Sequence, residues 1–395
     1  MDKFDIIVIG KGLVGSAAAK YLSFKNKKIA IIGPQEPLDY NKSIVFASHY
    51  DQARVQRLIG KDSVWTRLNL ESVNQYQTIQ EQSGIHFHDP TGCLYVNPTG
   101  EDSYLYQAAS LASDFKLTCK PYPTGSAIVN DFSAYHFPES SKGLLEKSPA
   151  GLINPRLLLK AQLAVFDQHQ GININDTILD ITHHNHGYTV TSHEGNIYHA
   201  SEILLAAGSF VNFFNLSAQK LDLKLKNEII LLARLNPEQT KELAKLPSLL
   251  YEIDNGTTEG IYLIKPVQYP DGNYYIKMGC NMPEDIYFDN IEQVQQWFRN
   301  GNSDQFINRL KQELLKILPD IEPLAYLTKR CIINRSIHGR PYIGETHQPG
   351  LYVASGCNGY SAMCSDAIGR VASHLLLNKK LPENYAVKDF EIFYQ

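Results

Sequence analysis

The chain opens on an unbroken apolar run, Ile6 to Ile9, the pattern of a strand buried on both faces. Gly10, Gly12 and Gly15 follow at once, with Leu13 and Val14 between them, and Ser16-Ala-Ala-Ala-Lys-Tyr-Leu22 continues as a helix. A second apolar run, Lys28-Ile-Ala-Ile-Ile-Gly33, predicts another buried strand. Strand, glycine turn, helix and strand in that order predict a dinucleotide-binding unit. The first glycine makes the tight turn, the second lets a pyrophosphate approach the backbone, and the third lets helix pack closely on strand. The unpaired N–H groups of the helix N-terminus would face the phosphates. An acidic residue that would hold the ribose is missing. Gly33 stands in its place, and Glu36, three residues later, would have to curl back to reach.

Beyond this unit the apolar spacing predicts further helices with readable ends. Trp65, Leu68 and Val73 form one apolar face that ends near Gly84. Asn154-Pro155 reads as a cap with proline at the first helical position, and Gly171 stops that helix. Ser303 is expected to cap a helix through Phe306, Ile307, Leu310 and Leu314, with Pro319 beyond its end. Residues 171–208 and 251–279 read as strands. We expect an α/β fold: a Rossmann-like nucleotide-binding domain interleaved with an α+β substrate domain on a mixed or antiparallel sheet. The first would comprise residues 1–85, 150–215 and 325–378, the second 86–149 and 216–324, with 379–395 as a tail.

Composition narrows the class. At 395 residues the chain is long enough for two domains with cores of their own. A net charge of −4 leaves no basic surplus for nucleic acid. No apolar run approaches membrane-spanning length. Asp2 and Asp5 ahead of the first strand argue against a cleaved signal peptide. The six cysteines show no CxxC pair and no metal-ligand spacing, which suits reduced thiols in the cytoplasm. His183-His184-Asn185-His186 lies at a polar turn without carboxylate or thiol neighbours, so it reads as a solvated hairpin turn and no metal is expected.

Taken together, the N-terminal turn, Gly151-Leu-Ile-Asn-Pro155, Ala206-Ala-Gly208, Arg340-Pro-Tyr-Ile-Gly344 and Leu351-Tyr-Val-Ala-Ser-Gly-Cys-Asn-Gly359 occur in a telling order. In that order they resemble the FAD-dependent D-amino-acid oxidase superfamily, nearest its sarcosine-oxidase-like branch. The resemblance covers nearly the whole chain. It implies that the Rossmann-like domain is an FAD-binding domain, with FAD held by Gly10, Gly12, Leu13, Val14, Gly15, Ser48, His49, Arg54, Ile178, Ala207 and Gly208. Gly356, Asn358, Gly359, Tyr360 and Ser361 would complete the cofactor site, with a final helix starting near Gly359 whose dipole stabilises charge on the ring. It further implies that Cys331 attaches the flavin through sulfur, its thiolate favoured by Arg330 or Arg335. Arg57 would fork onto a substrate carboxylate. Lys277 would sit by the flavin and activate oxygen.

Some pocket positions depart from the family pattern: Asn281, Ile333 and Met363 replace a histidine, an aromatic residue and a lysine, and Ser336-Ile337-His338 replaces Thr-Pro-Asp. The resemblance therefore implies a flavoenzyme with a rebuilt substrate cage. Its substrate would be an amine, an amino acid or an N-substituted amino acid, and its electron acceptor oxygen, giving hydrogen peroxide, or another molecule. Oxidation of a 2-hydroxy acid, a flavin-binding subunit without turnover and a nicotinamide-dependent dehydrogenase stay as rivals. Substrate identity and oligomeric state are left open.

Overall fold

The computed structural model describes residues 3–99 and 103–395; Asp2, used above against a signal peptide, lies outside them. The apolar runs become the centre of a mixed sheet. Lys3–Ile9 pairs in parallel with Ile29–Ile32 on one side and Ile197–Leu205 on the other. Ile172–Ile174 extends one edge, and Leu351–Ser355 pairs in parallel with the end of Ile197–Leu205. The hairpin Ile178–His184 and Gly187–Ser192 completes the other edge, and its exposed turn carries His183 to His186. Among the described residues, no group of histidines, cysteines and carboxylates is placed to hold a metal ion.

Helices cover this sheet. Leu13–Ser23 packs against Pro155–Gln168 and Ser365–Asn378, and a buried ion pair, Lys20 Nζ to Asp366 Oδ1 at 2.5 Å, joins the first to the last. The Asn154 side chain accepts from the Leu157 N–H at 3.1 Å, a cap that stabilises by about 1 kcal/mol. Ser63–Ser83 ends at Gly84 in the left-handed conformation, as its spacing predicts. Ser303 does not cap the next predicted helix. Its hydroxyl bonds Thr328 instead, a 3-10 turn intervenes, and the helix runs Ile307–Ile317.

A second, mostly antiparallel sheet runs in the order Ala325–Ser336, Leu223–Leu235, Tyr274–Asn281, Glu259–Gln268, Ser248–Asp254, Cys93–Asn97, Lys142–Glu146 and Cys119–Tyr122. Ala325–Ser336 departs from the expectation that grouped it with the nucleotide-binding unit. It pairs with Leu223–Leu235 along almost its full length, because both strands are long enough to satisfy each other's backbone groups. Alternation gives this sheet two different faces. Leu225, Ile229, Leu231, Ile276 and Met278 pack with Val294, Trp297, Leu310 and Leu314 of two helices. The other face carries Lys226 and Glu228, polar side chains that line the cavity described below. A small third sheet joins Arg54–Gln56 and His88–Asp89 to Gly151–Ile153. Among the described residues no helix is long and apolar enough to cross a membrane, and all six cysteines are unpaired.

Candidate active site

The strands of the first sheet end on one cavity of about 1420 Å³, where Gly10, Gly33 and Ala206 to Gly208 all line its wall. Open α/β sheets bind ligands at this end of their strands. The volume exceeds the roughly 300–1,000 Å³ of a site for one drug-sized ligand. Each glycine of the turn has a distinct cause. Gly10 has φ +109°, and a Cβ there would stand 2.3 Å from the Ala206 carbonyl oxygen. A Cβ on Gly15 would fall 1.9 Å from the Gly10 oxygen. At Gly12 a Cβ would meet nothing within 4 Å, so the space over its backbone is open. Gly12 also precedes Leu13–Ser23, whose N-terminus has no side-chain cap, which leaves N–H groups for an anionic ligand.

The wall continues through Ser48, His49, Arg54 and Arg57 of one segment and through Ile178. Arg54 donates to the carbonyls of Ser48 (2.7 Å) and Ala53 (2.9 Å) and pairs with Asp51. His49 is buried. Its pKa is pushed down to about 3 by burial, then by Arg156, Arg54 and Lys11, so it is neutral at physiological pH. On the far side, Asn358 to Met363 line the cavity. Asn358 holds its loop to the second sheet: its Oδ1 accepts from Ser336 N–H at 3.1 Å, and its own N–H donates to the Asn334 carbonyl at 2.8 Å.

Arg57 is 3% exposed. It lies 5.1 Å from the Tyr360 ring and 6.0 Å from that of Tyr95, and it donates to the Tyr104 hydroxyl. Among the described residues no carboxylate lies within ion-pair distance of it. The buried Glu146 turns its oxygens to the N–H groups of Leu58 (2.8 Å) and Ile59 (2.6 Å) instead. A buried guanidinium on a cavity wall without a counter-ion is suited to a ligand carboxylate.

The sequence matches the family described as DAO, FAD dependent oxidoreductase, over residues 5–375. The chain belongs to this family of flavoproteins. It is 24% identical to N-methyl-L-tryptophan oxidase of Salmonella dublin over 214 residues, which are 53% of this chain and 54% of that protein. The match thus spans about half the length of this curated relative. In fold, it resembles the solved open form of NikD, described as an unusual amino acid oxidase essential for nikkomycin biosynthesis. That likeness has a TM-score of 0.78 at 17% identity and covers 100% of this chain and 98% of that one. L-proline dehydrogenase from P. horikoshii follows with a TM-score of 0.73 at 16% identity, over 97% and 95% of the two chains. The open cradle at Gly12 and the uncapped helix end fit the pyrophosphate of the family's FAD.

Against this frame of a flavoprotein, most of the expected site residues come together, and a few do not. Gly15 and Gly356 do not line the cavity, but Gly15 abuts Gly10 and Ala206, and Gly356 abuts Ser336, which do. Glu36 does not curl back: both its oxygens are held by Arg156, at 2.7 and 2.5 Å. Gly33 leaves no room for an acid, because a Cβ there would lie 2.5 Å from the Lys11 backbone nitrogen. The final helix starts at Ser365, not near Gly359. Asn358 and Gly359 have φ +56° and +76°, which turn the chain before a helix can form. Asp366 in its first turn already meets the dipole and pairs with Lys20.

Lys277 is fully buried but does not line the cavity. Its Nζ donates to Asp51 Oδ2 and to the Ala53 carbonyl, each at 2.7 Å. Burial first, then Arg54, lowers its pKa well below the usual lysine value. Cys331 does line the cavity, yet the cations acting on its sulfur are Arg54 and, less strongly, Lys277. Arg330, its strand neighbour, faces the other way and donates to Gly301 and Arg299 carbonyls. Burial raises the thiol pKa and Arg54 opposes that rise. Asn281, Ile333 and Met363 all line the cavity.

Sequence reading passed over Asp51, Tyr104, Lys226 and Glu228. The last two carried a visible signal, charges in the strand Leu223–Leu235, which is otherwise buried and mostly apolar.

Proposed function

We propose that the protein oxidises the C–N bond of an amino acid or N-substituted amino acid, with FAD as its cofactor. The observation that carries this reading is Arg57, a buried guanidinium on the cavity wall with no carboxylate paired to it among the described residues. A planar fork binds a carboxylate through two parallel hydrogen bonds and so fixes the substrate's orientation. Tyr95, Tyr104 and Tyr360 surround that fork and keep water from competing for it. Gly10, Gly12, Arg54, Ala207 and Asn358 would hold the FAD, and the flavin when bound supplies the acceptor for the hydride equivalent. The product imine hydrolyses to a carbonyl compound and an amine or ammonia. Oxygen is the proposed final acceptor, giving hydrogen peroxide, and the cytoplasm the proposed setting. The amino acid oxidase named for one fold neighbour and the N-methyl amino acid oxidase named for the relative support the same substrate class.

The test is anaerobic mixing of the FAD-loaded protein with a panel of amino acids, N-methyl amino acids and 2-hydroxy acids. Bleaching of the flavin by the aminated acids alone is expected. Bleaching by hydroxy acids alone transfers the protein to the rival reading, and no bleaching by any member favours a subunit without turnover.

We also propose that the flavin is tethered through Cys331. Acid precipitation of the purified protein is then expected to leave the yellow chromophore in the pellet, and Cys331→Ala to release it into the supernatant. Free FAD from the unaltered protein would reduce Cys331 to a packing residue.

A further inference from the structure

The strand Leu223–Leu235 puts Lys226, Glu228, Ile230 and Leu232 on the face opposite the two helices, where Ile230 and Leu232 cluster with Tyr269 and Tyr275. Lys226 and Glu228 line the cavity. Lys226 is already matched, since its Nζ donates to Asn281 Oδ1 at 3.1 Å and pairs with Asp285. Glu228 differs. Its side chain is 10% exposed, and its Oε2 lies 3.5 Å from Lys226 Nζ, at the long end of ion-pair distance, with no other donor among the described residues. It sits opposite Cys331 on one neighbouring strand. On the other, Ile230, two residues along, pairs with Gly279, and the Tyr262 ring covers that glycine.

One lysine thus faces two carboxylates. Burial raises the Glu228 pKa; Lys226 opposes that rise, Asp285 adds to it, and Lys277, already paired with Asp51, opposes it. Cys331, Cys280 and Tyr262 stand near as neutral thiols and phenol, their pKa values raised by burial. A buried carboxylate that shares its one lysine with a second carboxylate is stabilised further when a ligand brings another donor.

We propose that Glu228 receives the amino group of the substrate and so selects aminated acids over acids of the same shape without nitrogen. This rests on the amino-acid reading above and adds the residue that recognises the amine. Arg57 holds the carboxylate and Glu228 the N–H, so the two charges of a zwitterion are read by two separate elements of the fold.

Calorimetric titration of the FAD-loaded protein, reduced and oxygen-free so that nothing turns over, tests this with two probes. N,N-dimethylglycine carries the amine; 3-methylbutanoate has the same shape with carbon in place of nitrogen. The unaltered protein is expected to bind dimethylglycine more tightly. Glu228→Gln should weaken dimethylglycine on the order of 10- to 100-fold, the worth of a hydrogen bond to a charged group. It should leave 3-methylbutanoate unchanged, which also reports an intact fold, and Glu228→Asp should recover part of the loss. Equal weakening of both probes, or of neither, overturns the assignment. Equal affinity of the unaltered protein for both probes overturns Glu228 alone and leaves Arg57 as the anchor. Binding of neither probe overturns the amino-acid reading, and the assignment with it.

Discussion

Replacing Arg57 with alanine is expected to lower kcat/KM for the preferred amino acid by about 10²–10³-fold, the cost of deleting one member of a buried, hydrogen-bonded charge pair. The loss should fall mainly on KM if the carboxylate is held equally in ground and transition states. Arg57→Lys should recover only part of it, because an ammonium cannot reproduce the planar fork. Cofactor content is expected to stay intact, since Arg57 is set among Tyr95, Tyr104 and Tyr360 rather than in the glycine turn. Steady-state kinetics paired with the flavin absorbance of each variant separates the two effects. An unchanged KM across carboxylated substrates would remove Arg57 from the substrate site.

Lys277→Met is expected to slow the reaction of the reduced protein with oxygen by about 10²–10³-fold, the effect of deleting one preorganised charge beside developing negative charge. Reduction by substrate should be largely spared. Stopped-flow measurement of the two half-reactions reads them independently. The structure sharpens what is at stake, because Lys277 donates to Asp51 and Ala53 behind the cavity wall. Its charge would reach an oxygen molecule only through that wall. An oxygen rate unaffected by Lys277→Met would make the lysine the structural partner of Asp51 and leave the acceptor to be found elsewhere. Stability should fall by less than the roughly 3–5 kcal/mol of an orphaned buried charge, because Asp51 keeps Arg54 and the Tyr269 hydroxyl.

The nucleotide end of the site was legible in the sequence because its causes are local. Glycine spacing, an apolar run and a capless helix start all lie within a few residues, and Gly15 is a glycine because of the nearby Gly10 oxygen, whereas Gly10 also meets Ala206 from far along the chain. The rest of the cavity wall was legible only where a family pattern reached it, as at Arg57. Asp51 and Lys277 are 226 residues apart in the chain, and no local pattern announces their pairing. Ser303 and Gly359 misled for a related reason. Each looks like a helix start by composition, yet Thr328 takes the serine hydroxyl, and positive φ angles at Asn358 and Gly359 spend the following residues on a turn. Ala325–Ser336 was grouped with the nucleotide-binding unit, whereas its backbone partner is Leu223–Leu235 of the second sheet, a strand far back in the chain that no local pattern points to.

The contact between Gly33 and Lys11 has a consequence for how this site can change. A side chain at residue 33 would collide with the Lys11 backbone nitrogen at 2.5 Å and Cα at 3.1 Å as well as with its Cβ at 2.6 Å. Trimming Lys11 removes only the last of these. An acidic residue at position 33 is therefore out of reach by one substitution or by the obvious pair, since the glycine turn itself would have to shift. Descendants of this sequence, natural or designed, must adjust their grip on the adenosine half of the cofactor from some other stretch of chain.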